Sequence, residues 1–253
     1  MKFNLLLLRR TALCALAAGG ALGLASAQAA TTVTVNGVDD VYQANGPDGS
    51  GGLAPQTINV TGLTSITFSV STGDTVTVNG GGNYNDADGV GSASGEFITG
   101  ANDISGITTP TAGAIIGVFE GAVLTATPAA LNFDTGVGDT PGTTSFASLS
   151  PELQQAFFIG DGLTGDGTGA SQTFYVPTGA TTLYLGLADA CGYNGSPSCY
   201  GDNSGSFTVT TDGTAVGGGV PEPASWALML VGVGLAGGTL RASQRGRLTT
   251  AAR

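Results

Sequence analysis

Two carboxylates and an amide flank a short loop near the C-terminal end of the chain. Asp189 follows the apolar run at residues 183–187, and Asp202 with Asn203 directly precedes the run at residues 206–211. If the two runs pair as a hairpin, their ends meet and the three side-chain oxygen donors converge at one edge of the domain. This edge is called the rim below. Oxygen donors are the ligands that calcium prefers, in a shell of about six to eight. Loop carbonyls, waters or a bound molecule would have to complete such a shell.

The charge distribution favours the same chemistry. The 253-residue chain has 7 Lys and Arg, 18 Asp and Glu and no His, for a net charge of −11. Every base lies at one of the two ends, so residues 31–222 carry all of the acids and no base. Such a region cannot neutralise phosphates, which argues against nucleic-acid binding, and it offers no Lys for a Schiff base and no His for a triad or a zinc site. Solvent cations or a hard metal ion are its natural counter-ions.

The same segment resembles the bacterial calcium-dependent galactose-binding lectins, which have a galactose-binding-domain-like sandwich. The resemblance rests on residues 176–189 and on the stretch Tyr-Gly-Asp-Asn-Ser-Gly-Ser-Phe at residues 200–207. It implies that Asp189, Asp202 and Asn203 are side-chain ligands of Ca2+ and that Cys199 contributes its backbone carbonyl. A further carbonyl would come from the loop after residues 73–78, near residues 84–86. In that family two vicinal sugar hydroxyls complete the calcium shell.

The resemblance is partial in the part that would hold the sugar. The family uses a His and a Gln from a loop in the first half of the domain, and this chain has no His. The loop between Asp189 and Cys199 is also longer than in the family. The resemblance therefore implies the fold and the calcium site, and the residues that hold galactose in the family are not carried over. Tyr193 and Tyr200 lie in the loop region and are candidates to stack on a sugar ring, while a purely structural polar loop is the alternative.

The elements that would position this rim are short strands. β-Branched residues alternate with small polar ones, and Gly, Asn, Asp and Pro separate the runs, which predicts an all-β, antiparallel β-sandwich. Two long polar loops, at residues 80–100 and 160–171, are expected to be functional or mobile. Only residues 151–157 have a helical pattern, with Pro151 at the first position and Ser150 as a cap. The predicted strands are residues 32–35, 56–60, 65–70, 75–78, 114–119, 173–176, 182–188 and 206–211.

Two further acidic loops are weaker metal candidates. Residues 83–89 fail the EF-hand pattern, because Tyr84 falls at the first ligand position and Gly95 at the twelfth. This loop is either a solvated turn or an approach to the main rim. Residues 160–167 contain two Gly-Asp-Gly turns without a longer array, which is best explained by turn chemistry.

The first 29 residues have the three parts of a secretory signal peptide. Three bases lie within the first ten residues, an apolar stretch follows at residues 13–24, and Ala25-Ser26-Ala27 offers a cleavage site. An N-terminal membrane anchor is the alternative. Because an exported chain meets oxidising conditions, Cys191 and Cys199 are expected to form a disulfide. A free thiol pair or a metal site would need more soft ligands than the sequence offers.

The C-terminal end resembles a PEP-CTERM sorting signal. A Gly-rich linker at residues 217–220 precedes the signal, and an apolar run at residues 224–240 is long enough for a transmembrane helix. The resemblance rests on Pro221, Glu222, Pro223, Trp226 and a basic end that starts at Arg241. It implies a Gram-negative bacterium with an exosortase that cuts near the Pro-Glu-Pro, and cargo at the cell surface or in the extracellular matrix.

These observations predict the following organisation: a signal peptide at residues 1–29, a β-sandwich domain at 30–216, the linker, the sorting signal at 221–247 and a tail at 248–253. The expected partners are the Sec machinery, the exosortase and a neutral carbohydrate or exopolysaccharide, and no nucleic acid is expected to bind. The protein is expected to be anchored in the inner membrane before it is sorted. The predicted function is a calcium-dependent carbohydrate-binding module. The alternative is a structural biofilm-matrix protein whose calcium only stabilises a loop. No enzyme activity is expected, because paired carboxylates arise by chance among so many acids.

Overall fold

The computed structural model describes residues 26–80, 84–89, 95–121, 126–134 and 144–215, and these residues are strands and loops apart from three single 3-10 turns. The all-β prediction is therefore confirmed. The 3-10 turns are Val41–Gln43, Cys191–Tyr193 and Tyr200–Asp202. The strands are β1 Ser26–Ala27, β2 Thr31–Asn36, β3 Gln56–Asn59, β4 Leu63–Val70, β5 Thr75–Thr77, β6 Glu96–Ala101, β7 Ile104–Thr109, β8 Ile115–Gly121, β9 Leu131–Asn132, β10 Ser148–Leu149, β11 Ala156–Phe158, β12 Leu163–Gly165, β13 Thr168–Ser171, β14 Thr173–Tyr175, β15 Ala180–Leu187, β16 Asn194–Gly195 and β17 Ser204–Ala215.

The strands of the described residues form three main sheets and one small hairpin. The large sheet has the order β1-β17-β4-β14-β10, and β2 and β5 also pair with β17. The middle sheet has the order β11-β8-β15-β3 and is antiparallel throughout. The outer sheet has the order β16-β6-β7-β9, and β12 and β13 form the separate hairpin.

The large and middle sheets face each other across an aromatic core. The ring of Phe174 on β14 lies 5.5 Å from that of Phe157 on β11, and 5.1 Å from that of Phe68 on β4. Phe157 in turn stacks on Phe119 of β8 at 5.1 Å. Rings at these separations bury large apolar areas and add a specific geometric preference. The two sheets are therefore joined in a sandwich-like arrangement.

The outer sheet covers part of the opposite face of the middle sheet. Ser105 on β7 accepts a hydrogen bond at its Oγ from the Ala156 amide of β11, at 3.0 Å. The ring of Phe158, which points away from Phe157, lies 5.8 Å from that of Phe133. Because β8 is covered on both faces, its residues 115–120 are buried without alternation, as is typical of strands inside layered sheets.

All eight predicted strands are present, with ends that differ by a few residues. The corresponding observed strands are β2, β3, β4, β5, β8, β14, β15 and β17. The prediction missed the β6–β7 hairpin, and it assigned β12 and β13 to a loop. Both hairpins are rich in Gly and Thr, so their local sequence resembles a turn until cross-strand pairing is added.

The predicted helix at residues 151–157 is wrong. Residues 151–155 are irregular, and β11 begins at Ala156 and pairs with β8. Gln154 has φ of +61°, which no α-helix accommodates. The apolar residues around it are buried from both sides, so tertiary packing overrides the local helical pattern.

The two ends of the described domain lie side by side. Ser26 and Ala27, which belong to the predicted signal cleavage site, pair with Ala215 and Thr214 at the end of β17. Residues 1–25 of the predicted signal peptide and the predicted transmembrane helix at residues 224–240 lie outside the described residues. Within the described ranges, no helix is long and apolar enough to cross a membrane.

Candidate metal centre at the disulfide loop

The disulfide loop connects the middle sheet to the large sheet. The predicted bond between Cys191 and Cys199 is present, with the two Cα atoms 5.2 Å apart. Two backbone hydrogen bonds hold the loop against the end of β15. The Tyr193 amide donates to the Ala190 carbonyl at 2.7 Å, and the Ser198 amide donates to the Asp189 carbonyl at 3.0 Å. The loop therefore fixes the distance between the end of β15 and the start of β17.

Asp189 and Asn203 lie buried on the two sides of this loop. Asp189 is 1% exposed and Asn203 is 8% exposed. The Asn203 Nδ2 donates to the Gly37 carbonyl at 2.9 Å, which anchors the residue to the turn after β2. Oδ2 of Asp189 and Oδ1 of Asn203 are buried without a hydrogen-bond partner. The expected hairpin is wrong, because β15 and β17 do not pair and belong to different sheets. The side chains of Asp189 and Asn203 nevertheless interact across the loop.

Glu96 is a third buried oxygen donor at the same place, and the sequence analysis missed it. β16 of the disulfide loop pairs in parallel with β6, which begins at Glu96. Oε1 of Glu96 accepts the Ala190 amide at 2.9 Å, while Oε2 is buried and has no partner. The only local signal was a single Glu at the start of a short apolar run, which is uninformative without the pairing.

The pKa values of both carboxylates are raised, mainly by burial, but the two groups act on each other in opposite directions. Asp189 raises the pKa of Glu96, whereas a side-chain hydrogen bond with Glu96 lowers that of Asp189. Burial is the main cause that raises the pKa of Asp189, to about 7; the charge of Asp202 adds to it and the Asn203 side chain opposes it. Burial also raises the pKa of Glu96 well above its usual range, and the nearby charge of Asp189 adds to this. No Lys, Arg or His occurs in residues 31–222 to neutralise them. The pair therefore favours either a proton or an external cation.

The donor set fits calcium in kind but not in number. Three buried side-chain oxygens from Glu96, Asp189 and Asn203 lack partners, and unsatisfied buried oxygens are rare in native proteins. Within the described part of the chain, no group of three or more Asp, Glu, His or Cys side chains is placed to hold a metal ion. A Ca2+ ion here would thus bind two carboxylates and one amide, and would need carbonyls, water or a ligand for the rest.

Asp202 and Cys199 flank the buried cluster. Asp202 is exposed at the surface of the loop, close enough for its charge to act on Asp189. The Cys199 carbonyl accepts the Asp202 amide at 3.3 Å within a 3-10 turn. Cys199 itself has φ of +68°, a left-handed conformation that turns the chain sharply at the disulfide. Asp202 is therefore placed at the rim and not inside the cluster.

The two tyrosines of the predicted sugar platform differ in environment. Tyr200 is fully buried, and its hydroxyl accepts the Asp189 amide at 3.1 Å and donates to the Leu187 carbonyl at 2.9 Å. Its ring thus supports Asp189 and offers no face to a ligand. Tyr193 is partly exposed, and its hydroxyl is 3.5 Å from the Asn79 Nδ2.

The first-half segment that reaches the rim is the one after β5. β5 pairs with the start of β17, and Thr77 exchanges a 3.0 Å hydrogen bond with Ser204. The chain then continues to Asn79, beside Tyr193. Asn85, from the segment expected to supply a carbonyl, instead pairs with Val76 through both of its backbone groups. Asn79 thus approaches the disulfide loop, whereas the Asn85 carbonyl already accepts the Val76 amide.

Comparison with known proteins bears on the C-terminal end alone. The model described as a PEP-CTERM protein-sorting motif matches residues 219–245. The chain matches no curated protein and no solved structure. The predicted motif residues Pro221, Glu222, Pro223, Trp226 and Arg241 fall inside the matched range, which lies outside the described residues.

The sorting-motif prediction is confirmed by this match. The motif makes exosortase the processing partner of the chain. It implies that the protein is exported, is anchored in the membrane in transit and is sorted to the cell surface. The domain described above is therefore the cargo of this route.

Proposed function

We propose that the domain is a calcium-dependent carbohydrate-binding module that acts at the cell surface or in the extracellular matrix. The calcium ion would sit between Glu96, Asp189 and Asn203, with Asp202 and the Cys199 carbonyl at the rim. The sugar would be bound through hydroxyl groups that complete the calcium shell, as the resemblance to the galactose-binding lectins implies. The module would bind and not cleave, because the cluster contains no nucleophile and no acid–base pair set apart from the metal.

One observation carries this proposal: three buried oxygens from three separate segments converge without a partner. Each unsatisfied buried polar group costs about 1–3 kcal/mol, and a charged one costs more. A cation would satisfy all three at once, and the basic residues that would otherwise do so are absent from residues 31–222. Calcium is favoured over zinc because the donors are all oxygen.

The position of the cluster suits a surface module. Asn203 immediately precedes β17, and the chain leaves the domain at the other end of that strand, at Ala215. A strand from Ser204 to Ala215 spans roughly 35 Å. The cluster therefore lies at the opposite end of β17 from the point at which the chain continues toward the sorting motif.

Calorimetric titration of the full chain in detergent tests the proposal in two steps. After removal of divalent ions with EDTA, Ca2+ is titrated first, and a panel of neutral glycans is then titrated with Ca2+ present. We expect saturable heat with Ca2+ and, for at least one glycan, heat that requires Ca2+. No heat with Ca2+ would refute the metal site. Calcium binding without any glycan response would favour the alternative, a structural matrix protein whose calcium stabilises the loop.

Matched variants locate the site. Asp189→Asn removes one charge from the cluster, and Asp212→Asn removes one charge from an exposed position on β17. We expect the first variant to lose calcium binding and the second to retain it. Equal calcium affinity in both variants would place the ion elsewhere.

A further inference from the structure

A polar pocket lies at the far end of β15 from the disulfide loop. Its volume is about 400 Å3, within the range of roughly 300–1,000 Å3 that small-molecule sites occupy. Thr182 of β15 pairs in register with Glu120 of β8, and both line the pocket together with Tyr184. These side chains lie on the face of the middle sheet opposite to Leu183, in the part that the outer sheet leaves open. A strand from Thr182 to Asp189 separates this pocket from the calcium rim by about 20 Å.

Glu120 supplies a carboxylate to the pocket. It is 8% exposed, and its Oε1 accepts a 3.1 Å hydrogen bond from the Asn45 Nδ2. Burial raises the pKa of Glu120, and the charge of Asp103 across the pocket adds to this. A buried carboxylate with no cation to pair with retains acceptor capacity for a ligand that donates hydrogen bonds.

Gln154 supplies an unpartnered amide to the same pocket. It is 3% exposed and lines the pocket, and none of the described residues hydrogen-bonds to its side chain. Its backbone is fixed on both sides, by the Phe119 carbonyl at 2.8 Å and the Ser105 amide at 2.9 Å. This fixation holds the residue at φ of +61°, a conformation that costs a non-glycine residue roughly 1 kcal/mol or more and that clusters at binding sites.

The positive φ of Gln154 has a different origin from the positive φ values of Asn102 and Asp103 nearby. Asn102 and Asp103 also have positive φ, but they form the two-residue loop between β6 and β7, where this conformation is the favoured one. Gln154 belongs to no such hairpin. Its conformation is thus held by the surroundings, which keep its amide at the pocket.

The wall of the pocket is rigidly held. The Asn45 Nδ2 donates to the Asn102 carbonyl at 3.0 Å as well as to Glu120. The Asn102 Nδ2 in turn donates to the carbonyls of Tyr42 and Gly46 at 2.9 and 2.7 Å. Residues 42–46 and the β6–β7 loop are therefore held together by these hydrogen bonds, so that ligand binding would require little further ordering of the pocket.

We propose that this pocket binds a neutral saccharide unit without calcium. Sugar hydroxyls both donate and accept hydrogen bonds, which matches the carboxylate of Glu120 together with the amide of Gln154. The ring of Tyr184 adds an apolar surface for a sugar face. An anion would be repelled by Glu120 and Asp103, and a cation would leave the amide N–H groups of Gln154 unused. The inference is independent of the calcium centre.

Titration of the full chain in detergent with EDTA present isolates this pocket from the rim. The probes are glucose, galactose, mannose and N-acetylglucosamine with their short oligomers, and tetramethylammonium as a cation. Glu120→Gln removes the charge at constant volume, and Gln154→Gly removes the amide while glycine accepts the positive φ. We expect at least one saccharide to bind and each variant to weaken that binding by about tenfold or more.

Two controls make the outcome decisive. Glu152→Gln changes an exposed carboxylate two positions from Gln154, and Asp189→Asn alters the calcium rim; both are expected to leave EDTA-resistant binding unchanged. Thermal melting of all variants separates a lost contact from a lost fold. The proposal is overturned if no saccharide binds in EDTA, if tetramethylammonium binds more tightly than every saccharide, or if correctly folded Glu120→Gln and Gln154→Gly bind as the wild type does. Loss of binding in Asp189→Asn would also overturn it, by assigning the sugar to the rim.

Discussion

The backbone amide of Ala190 donates a 2.9 Å hydrogen bond to Oε1 of Glu96, although 94 positions separate the two residues. This contact brings the first strand of the outer sheet against the end of β15, and it leaves Oε2 of Glu96 buried beside Asp189 without a partner. A carboxylate buried in this way destabilises the fold unless a proton or a cation joins it. Several consequences of this arrangement can be measured.

Glu96→Gln should separate stability from calcium binding. In EDTA the variant removes a buried charge while keeping an acceptor for Ala190, so we expect its free energy of unfolding to equal or exceed that of the wild type by about 1 kcal/mol. With Ca2+ the wild type should gain stability and the variant should gain less. Denaturant unfolding with and without Ca2+ measures both. A calcium-induced gain of the same size in both proteins would exclude Glu96 as a ligand.

Asp40 and Asp88 should contribute to the pH dependence of stability, beside Glu96 and Asp189, whose pKa values are also raised. Burial is the main cause that raises the pKa of Asp40 and that of Asp88 to about 7 in the folded domain, whereas in the unfolded chain Asp ionises near pH 4. Between these values the folded state holds protons that the unfolded chain has lost. The free energy of unfolding should thus fall as pH rises from about 4 to 7, by up to about 1.4 kcal/mol per pH unit for each group.

Asp40→Asn tests this dependence in EDTA. Asp40 accepts hydrogen bonds from Ser50 Oγ at 2.6 Å and from the Tyr42 amide at 2.9 Å, and the amide of Asn can keep one of them. We expect a shallower decline of stability between pH 4 and 7 than in the wild type. Asp212→Asn, at an exposed position, should leave the slope unchanged. Parallel slopes for the wild type and Asp40→Asn would show that Asp40 does not govern the decline.

Removal of the disulfide should destabilise the domain and weaken the calcium centre together. Replacing Cys191 and Cys199 by Ser opens a loop with a sequence separation of 8, for which chain entropy gives a loss of about 2–3 kcal/mol. Calcium affinity should also fall, because the loop sets the approach of Asp189 to Asn203. The measurements are unfolding in denaturant and calorimetry with Ca2+. A reducing agent should reproduce the loss in the wild type and have no effect on the double variant.

The sheet-to-sheet core should depend on Phe174 much more than on its neighbour Tyr175. Phe174 is fully buried against Phe68 and Phe157, whereas Tyr175 is 50% exposed on the other face of the same strand. We expect Phe174→Ala to lower the free energy of unfolding by about 3–5 kcal/mol and Tyr175→Ala to lower it by less than about 1 kcal/mol. Denaturant unfolding of both variants provides the comparison. Similar losses would show that this interface does not hold the sheets together.

The sorting motif should control the destination and leave the fold unchanged. Deletion of residues 219–245 removes the matched motif, so we expect the exported domain to lose exosortase processing and surface localisation. Deletion of residues 248–253, outside the match, should retain both. Cell fractionation and the apparent mass of the mature protein report the outcome. Normal processing of the first deletion would contradict the role of the motif.

The sequence by itself determined the features whose signals are local. The order of residues at the C-terminal end identified the sorting motif, and the alternation of β-branched residues located eight strands. The spacing of Cys191 and Cys199 in an exported chain predicted the disulfide. Asp189 and Asn203 were found because they flank the loop that this disulfide closes. Each of these signals lies within a few residues of the feature that it predicts.

Only the tertiary structure decided which distant residues meet. Pairing between β16 and β6 brought Glu96 to Asp189, and burial turned Tyr200 from a candidate sugar platform into a support for the Asp189 amide. Packing from both faces made residues 156–158 a strand and fixed Gln154 in a left-handed conformation beside Glu120. Contacts of this kind depend on sheet order and on how the sheets are layered, and local periodicity carries no information about either.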